Sequence, residues 1–175
     1  MSKAKGYRER GRPTGMVRPY DDGDAEALWA QKHAFESGLG TGTGGDEKAE
    51  LYAAKLTDDY RADWLAWVDD CVAEDERCVQ IAERDGEVVG YVFVLPESMR
   101  FVWDAAVLNE IHVSPDSRGT GVADELMEAA VAFARDMDLP LDRLVLDVDR
   151  ENDRARAFYE RHGFAHWGEM VARTL

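Results

Sequence analysis

The sequence predicts an α/β protein: one sheet of about six to seven strands with helices on both faces. Three observations predict it. Runs rich in Val, Ile and Leu alternate along the chain with segments whose apolar residues recur at helical spacing. Two β-branched runs flank Arg84-Asp85-Gly86, and Asp-Gly between such runs is a strong hairpin signal. Residues 108–137 read as a strand, a tight polar turn and a long helix, the kind of unit from which α/β sheets are assembled.

Taken in order, residues 1–14 hold Lys3, Lys5, Arg8, Arg10 and Arg12 without an apolar run. They are expected to be a flexible basic tail and not a secretory signal. Residues 15–175 are expected to form a single domain, a length that buries most of its apolar surface. A short strand over 15–20 leads into the acidic turn Asp21-Asp22-Gly23-Asp24. Asp24 can cap a helix over 25–37, with Ala25, Leu28, Trp29 and Phe35 as its stripe. The glycine-rich stretch 38–46 lacks the Lys and the spacing of a P-loop. It reads as a mobile connector or a lid.

Helices follow over 48–56 and 58–74, the second capped by Thr57 or Asp58. Tyr60, Trp64, Trp67, Val68 and Cys71 recur at helical spacing and mark its core face, with Trp64 or Trp67 also able to wall a pocket. Strands over 78–82 and 87–96 form the hairpin. The second alternates little, so both of its faces should be covered. After a connection over 97–104 come a strand over 106–113 and a helix over 119–137. Ser117 is its candidate N-cap, and Val122, Leu126, Ala130, Phe133 or Ala134, and Met137 are its buried stripe. A strand over 141–148 precedes a helix over 152–162, with Asn152 as N-cap and Gly163 just past its end. A final pair of strands is expected over 164–167 and 170–174.

The net charge of −15 argues against nucleic-acid binding, because phosphates would be repelled. The acids are spread along the chain and arginine outnumbers lysine 16 to 5. That pattern fits a surface kept soluble in concentrated salt better than a docking face for a polycation. No apolar run approaches a membrane span. Cys71 and Cys78 make neither a disulfide framework nor a zinc site and are expected to be buried thiols in a cytoplasmic protein.

The chemistry concentrates at Arg118-Gly119-Thr120-Gly121-Val122-Ala123. A helix start with bare N–H groups is an anion site, and glycines let phosphates approach the main chain. A second motif runs Asn152-Asp153-Arg154-Ala155-Arg156-Ala157-Phe158-Tyr159-Glu160-Arg161-His162-Gly163-Phe164. With both motifs in order, the sequence resembles the GNAT superfamily of acyl-CoA-dependent N-acyltransferases, most strongly over 88–164. The first matches its cofactor signature, Arg/Gln-x-x-Gly-x-Gly/Ala. The second matches its Asn-led helix bearing a Tyr and a Gly-Phe.

The resemblance implies a single mixed, mostly antiparallel twisted sheet. It implies acetyl-CoA as acyl donor, with Ile111, His112 and Val113 offering backbone groups to the pantetheine arm. The amides of Arg118, Gly119, Thr120, Gly121, Val122 and Ala123 would hold the pyrophosphate, and Asn152, Ala155 and Phe158 would join the cofactor site. Arg118, Arg154, Arg156 and Arg161 would supply local positive charge against the acidic background. Tyr159 would be the general acid to the departing thiolate, and a backbone N–H near Val113 the donor to the developing oxyanion. Glu110, His112 and Asp147 are all candidates for the base. Transfer to a primary amine would be direct, in a ternary complex, without a metal. The alternative with the same fold is a non-catalytic acyl-CoA sensor or scaffold, and a nucleotide binder is the remaining rival. The acceptor, whether a small molecule or a protein amine, is not encoded legibly, and a homodimer through the last strands is left open.

Overall fold

A computed structural model describes residues 15–42 and 45–175. The expected basic tail, 1–14, lies outside the described residues. Five strands form one sheet in the order β1-β2-β3-β4-β5. They are β1 (Gly15–Pro19), β2 (Val79–Arg84), β3 (Glu87–Val94), β4 (Ala106–Val113) and β5 (Leu144–Val145). The first four pair antiparallel, and β5 lies parallel to β4. The helices are α1 (Ala25–Gly42), α2 (Gly45–Ala54), α3 (Asp58–Glu74), α4 (Val122–Arg135) and α5 (Asp153–Arg161).

The β2–β3 hairpin closes at Asp85 and Gly86, both at positive φ (53° and 83°), as a two-residue turn between twisted strands demands. In β4, Phe93 pairs with Glu110 but Val94 pairs with Leu108, so Asn109 is an extra residue. Such a bulge bends the strand and re-aims its side chains. Tyr91, Phe93, Glu110 and His112 share one face of the sheet, by pairing register. Helices α1 and α3 cover that face, with Trp67 of α3 4.9 Å from the Phe93 ring. Helix α4 covers the other face through Val122, Leu126, Met127, Ala130 and Phe133. Both faces of β3 are therefore buried, which explains its continuous apolar run.

Four local expectations are revised. The cap before α1 is Asp21, not Asp24. Asp21 accepts from the Gly23 N–H (2.8 Å), while Asp24 turns back to the Asp21 N–H (3.0 Å) and pairs with Arg18 (2.7 Å). The glycine stretch expected as a connector or lid is largely helical. Helix α1 runs to Gly42 and α2 starts at Gly45, so the helical backbone continues through glycines despite their poor helix propensity. Ser117 belongs to a 3₁₀ turn, and the N-cap of α4 is Gly121. Helix α4 also stops at Arg135, short of Met137.

The sheet has five strands among the described residues, against six to seven expected. The strand expected over 141–148 is reduced to Leu144–Val145, and no strand forms over 164–167 or 170–174. Met170 and Val171 are 65% and 90% exposed, so this stretch has no core to bury its apolar residues against. A lone hairpin without such a face is marginal in water.

One glycine has a steric role. A Cβ on Gly90 would lie 2.6 Å from the His112 carbonyl oxygen and 3.3 Å from Leu126 Cδ1. Gly90→Ala is expected to cost about 1–3 kcal/mol, because the obstructing atom is backbone held in the β3–β4 ladder. Urea unfolding should show a lower midpoint with an unchanged slope.

Candidate active site

Strand β4 pairs with β3 along its length, but with β5 only through Ala106 and Val107. From Leu108 to Val113 its outer edge faces no strand among the described residues. The chain then makes a 3₁₀ turn at Pro115–Ser117 and enters α4. Gly119 (φ 74°) and Gly121 (φ 95°) are both left-handed, a conformation glycine adopts without penalty. No side chain caps α4, and Cβ atoms built on either glycine would meet nothing within 4 Å. The positive end of a 14-residue helix thus opens onto free space.

Two guanidinium groups stand beside it. Arg118 Nε donates to the Val113 carbonyl (3.1 Å), and burial together with the nearby charge of Arg154 lowers its pKa. Neither Arg118 nor Arg154 has a carboxylate partner among the described residues. Two unpaired cations held close to each other and to a helix start suit a diphosphate. The other two arginines are engaged: Arg161 pairs with Asp124 (2.6 Å), and Arg156 with Asp153 (3.7 Å).

Helix α5 is capped as expected, Asn152 Oδ1 accepting from the Ala155 N–H (3.1 Å). It ends at Gly163 (φ 85°), with the Phe164 N–H donating to the Tyr159 carbonyl (3.0 Å). Arg161 and His162 both reach Asp124 in the first turn of α4, which sets α5 beside the open helix start. The Tyr159 ring packs between Phe158 (5.5 Å) and Phe164 (5.7 Å). Burial, and then the charge of Asp147, pushes its phenol up to about 12. It carries its proton throughout the physiological range.

His112 lies on β4 with its Nε2 buried and without a hydrogen-bond partner. Burial, then Arg118 and Arg154, lowers its pKa to about 4, so the imidazole is neutral. Glu110, two residues earlier, is 6% exposed and fully engaged. Lys32 Nζ lies 2.5 Å from Oε1, and Tyr91 donates its hydroxyl proton to Oε2 (2.7 Å).

Residues 45–164 match the model of the family described as "Acetyltransferase (GNAT) family". The chain belongs to the GNAT family. It is 35% identical over 93 residues to a "5-NmdU N-acetyltransferase" of Pseudomonas phage PaMx11, covering 53% of this chain and 61% of that protein. The chain therefore spans about three-fifths of the length of the first curated relatives it matches. Its fold is similar to an aminoglycoside N-acetyltransferase in complex with CoA, with TM-score 0.69 and 18% identity over 95% of this chain and 97% of the other. It is also similar to a PaiA N-acetyltransferase from Thermoplasma acidophilum in complex with coenzyme A, with TM-score 0.65 and 15% identity over 87% and 90%.

In this GNAT chain, His112, Arg118 and Arg154 share one electrostatic neighbourhood at the end of β4, and Tyr159 is paired electrostatically with Asp147. The three candidate bases occupy different surroundings. Glu110 pairs with Lys32 of α1, His112 lies on the same face with its ring 6.3 Å from Phe35 of α1 and within the influence of the Arg118 and Arg154 charges, and Asp147 is exposed near Tyr159. Sequence reasoning missed the group that engages Glu110. Lys32 is 2% exposed on α1, one turn beyond Leu28 and one turn before Glu36. The i, i+4 placement of all three on one face was readable, but a lysine and a glutamate on a core stripe pass for solvent-facing residues.

The lowered value of His112 has a stability consequence. The unfolded imidazole titrates near 6.5, so the unfolded chain takes up this proton first as pH falls. The stabilisation is fully present above about pH 6.5 and drains away towards pH 4, amounting to about 3 kcal/mol at most. His112→Phe is expected to flatten the stability profile between these values. The fall at lower pH, set by the paired Asp24, Asp75 and Asp124, should remain. Chemical unfolding at a series of pH values reads both.

Proposed function

We propose that this chain transfers an acetyl group from acetyl-CoA to a primary amine, directly and within a ternary complex, with residues 15–175 acting as one catalytic domain. The carrying observation is the uncapped, glycine-lined start of α4 at the end of the half-open edge of β4. The amides from Arg118 to Ala123, with Arg118 and Arg154, would hold the pyrophosphate. The free edge over Ile111, His112 and Val113 would pair with the pantetheine arm, a strand-like partner for unpaired backbone groups. Asn152, Ala155 and Phe158 on α5, and Arg161 through Asp124, support this reading by flanking the same helix start. Relatives named as N-acetyltransferases support the transfer.

The amine nitrogen attacks the thioester carbon and the carbon–sulfur bond breaks. A backbone N–H near Val113 donates to the carbonyl oxygen as charge develops. Tyr159, protonated to about pH 12, gives its proton to the thiolate and regains one from solvent. Glu110 has both oxygens occupied and Asp147 stands by Tyr159. His112 is therefore the group on β4 with a nitrogen left to receive a hydrogen bond from the amine and pass its proton to water.

The two free, buried cysteines fit a reducing cytoplasm, and the spread of acids fits high salt. No helix among the described residues is long and apolar enough to cross a membrane.

Tyr159→Phe should lower kcat by about 10²-fold or more while leaving the Kd for acetyl-CoA nearly unchanged. Arg118→Gln should weaken acetyl-CoA binding about tenfold at low salt, and less at high salt. Calorimetry and thiol release measure these effects. Failure of acetyl-CoA to bind sinks the proposal, and binding without turnover on any amine favours the sensor.

A further inference from the structure

The α1 side of the sheet holds a buried ionic cluster that the transfer chemistry leaves unused. Lys32 Nζ lies 2.5 Å from Glu36 Oε1 and 2.5 Å from Glu110 Oε1. At the rim of the cluster, Lys55, its side chain 37% exposed, brings its Nζ to 2.9 Å from the other Glu36 oxygen. Asn109 Nδ2 and the Tyr91 hydroxyl complete the ring of donors around Glu110, at 3.3 and 2.7 Å. The rings of Trp64 and Phe35 stand 5.2 and 5.5 Å from Lys32 Nζ, close enough for cation–π attraction. Two ammonium and two carboxylate groups cancel, so the cluster is neutral overall.

A carboxylate that relieves an acceptor ammonium of its proton must be reachable by that ammonium. Glu110 is not, because an internal ammonium already fills its place. Its neighbours do not yield protons near neutral pH. Burial works against the Lys32 ammonium, but Glu110 and Glu36 outweigh it and raise its pKa, and burial with the charge of Glu110 holds the Tyr91 phenol well above its ordinary range. His112, its pKa lowered by burial and then by the charges of Arg118 and Arg154, is a poor place to keep a proton.

Resting on the acetyltransferase reading, we infer that Lys32 is a specificity-determining residue. By occupying the ammonium seat at Glu110, it restricts the acceptor to amines of low basicity, such as an α-amino group or an amino-sugar nitrogen, and excludes alkylamines such as a lysine side chain or a polyamine. An α-amino group titrates near 8 and a lysine side chain near 10.4. At pH 7 the neutral fraction therefore differs on the order of 10²-fold, and with Glu110 closed to the acceptor and Asp147 standing by Tyr159, on the thiolate side, the enzyme inherits that difference.

The test uses the full chain, acetyl-CoA and one probe carrying both amines, the peptide Ala-Gly-Lys amide, with glucosamine and 1,4-diaminobutane as a second, small pair. Mass spectrometry locates the acetyl group. At pH 7 the wild type should favour the α-amine on the order of 10²-fold, with the ratio shrinking towards pH 10. Glucosamine should likewise outrun the diamine. Lys32→Met takes the ammonium away from Glu110, which keeps its Tyr91 and Asn109 donors, and leaves Oε1 open to an acceptor ammonium. Side-chain acetylation should then rise at least about tenfold relative to the α-amine. Lys32→Arg keeps the pair and should keep wild-type selectivity. If Lys32→Met does not fold, Lys32→Gln, which keeps a hydrogen-bond donor between Glu36 and Glu110, takes its place, and unchanged selectivity in a folded variant overturns the assignment to Lys32. Equal acetylation of both amines by the wild type, or a preference for the side chain, overturns the inference and leaves the acetyltransferase reading standing. Bound acetyl-CoA with no acetylation of any probe overturns both.

Discussion

Strand β4 is held on one edge and left open on the other. Its pairing with β3 is continuous apart from the bulge at Asn109, whereas β5 leaves it after Val107. An open edge inside a sheet is unstable on its own, since unpaired backbone groups must find partners. Contacts above and below hold the strand in place. From one face, Gly90 lets Leu126 of α4 come close to the β3–β4 ladder. From the other face, Lys32 of α1 grips Glu110 next to the bulge. The two helix layers that anchor this strand are different ones, α4 on one face and α1 on the other.

Electrostatics follows the same division. A chain of net charge −15 is a poor host for an anionic donor at long range. At physiological salt, exposed charges beyond roughly 8 Å are largely screened, so the immediate neighbourhood decides. Most described arginines are neutralised by nearby acids, as Arg18, Arg77 and Arg161 are. Arg118 and Arg154 stand beside the α4 start without such partners among the described residues. On the α1 side the balance is reversed, and every buried charge is matched. Buried ion pairs add little net stability compared with apolar packing. On the specificity role inferred for Lys32, its buried pairs with Glu36 and Glu110 are retained as control over which charges reach the reacting centre.

Local chemistry was legible wherever a residue type admits few conformations. Asp85-Gly86 makes the expected hairpin. Thr57 caps α3 by accepting from the Tyr60 N–H (3.2 Å), and Asn152 with Gly163 brackets α5. The glycines of the turn before α4 were readable for the same reason. Propensity misled in the glycine stretch and in the last residues of the chain. Gly38, Gly40 and Gly42 read as a connector but lie in α1. The runs over 164–174 read as strands but have no apolar face to bury against.

The sequence by itself determined the turn, cap and hairpin geometry and the order of elements, because these depend on neighbours within a few residues. It also contained both motifs from which the donor site could be expected. Only the tertiary structure decided which charged side chains lose their solvent and meet. Lys32 and Glu110 are 78 positions apart. Their pairing depends on how α1 settles on the Tyr91 face of the sheet, an outcome of packing that no local pattern encodes. The same holds for the open edge of β4, since a strand's length is set by its partner as much as by its own residues. Arg118 and Arg154 likewise become a pair only when α5 docks beside α4, which Asp124 brings about by gathering Arg161 and His162.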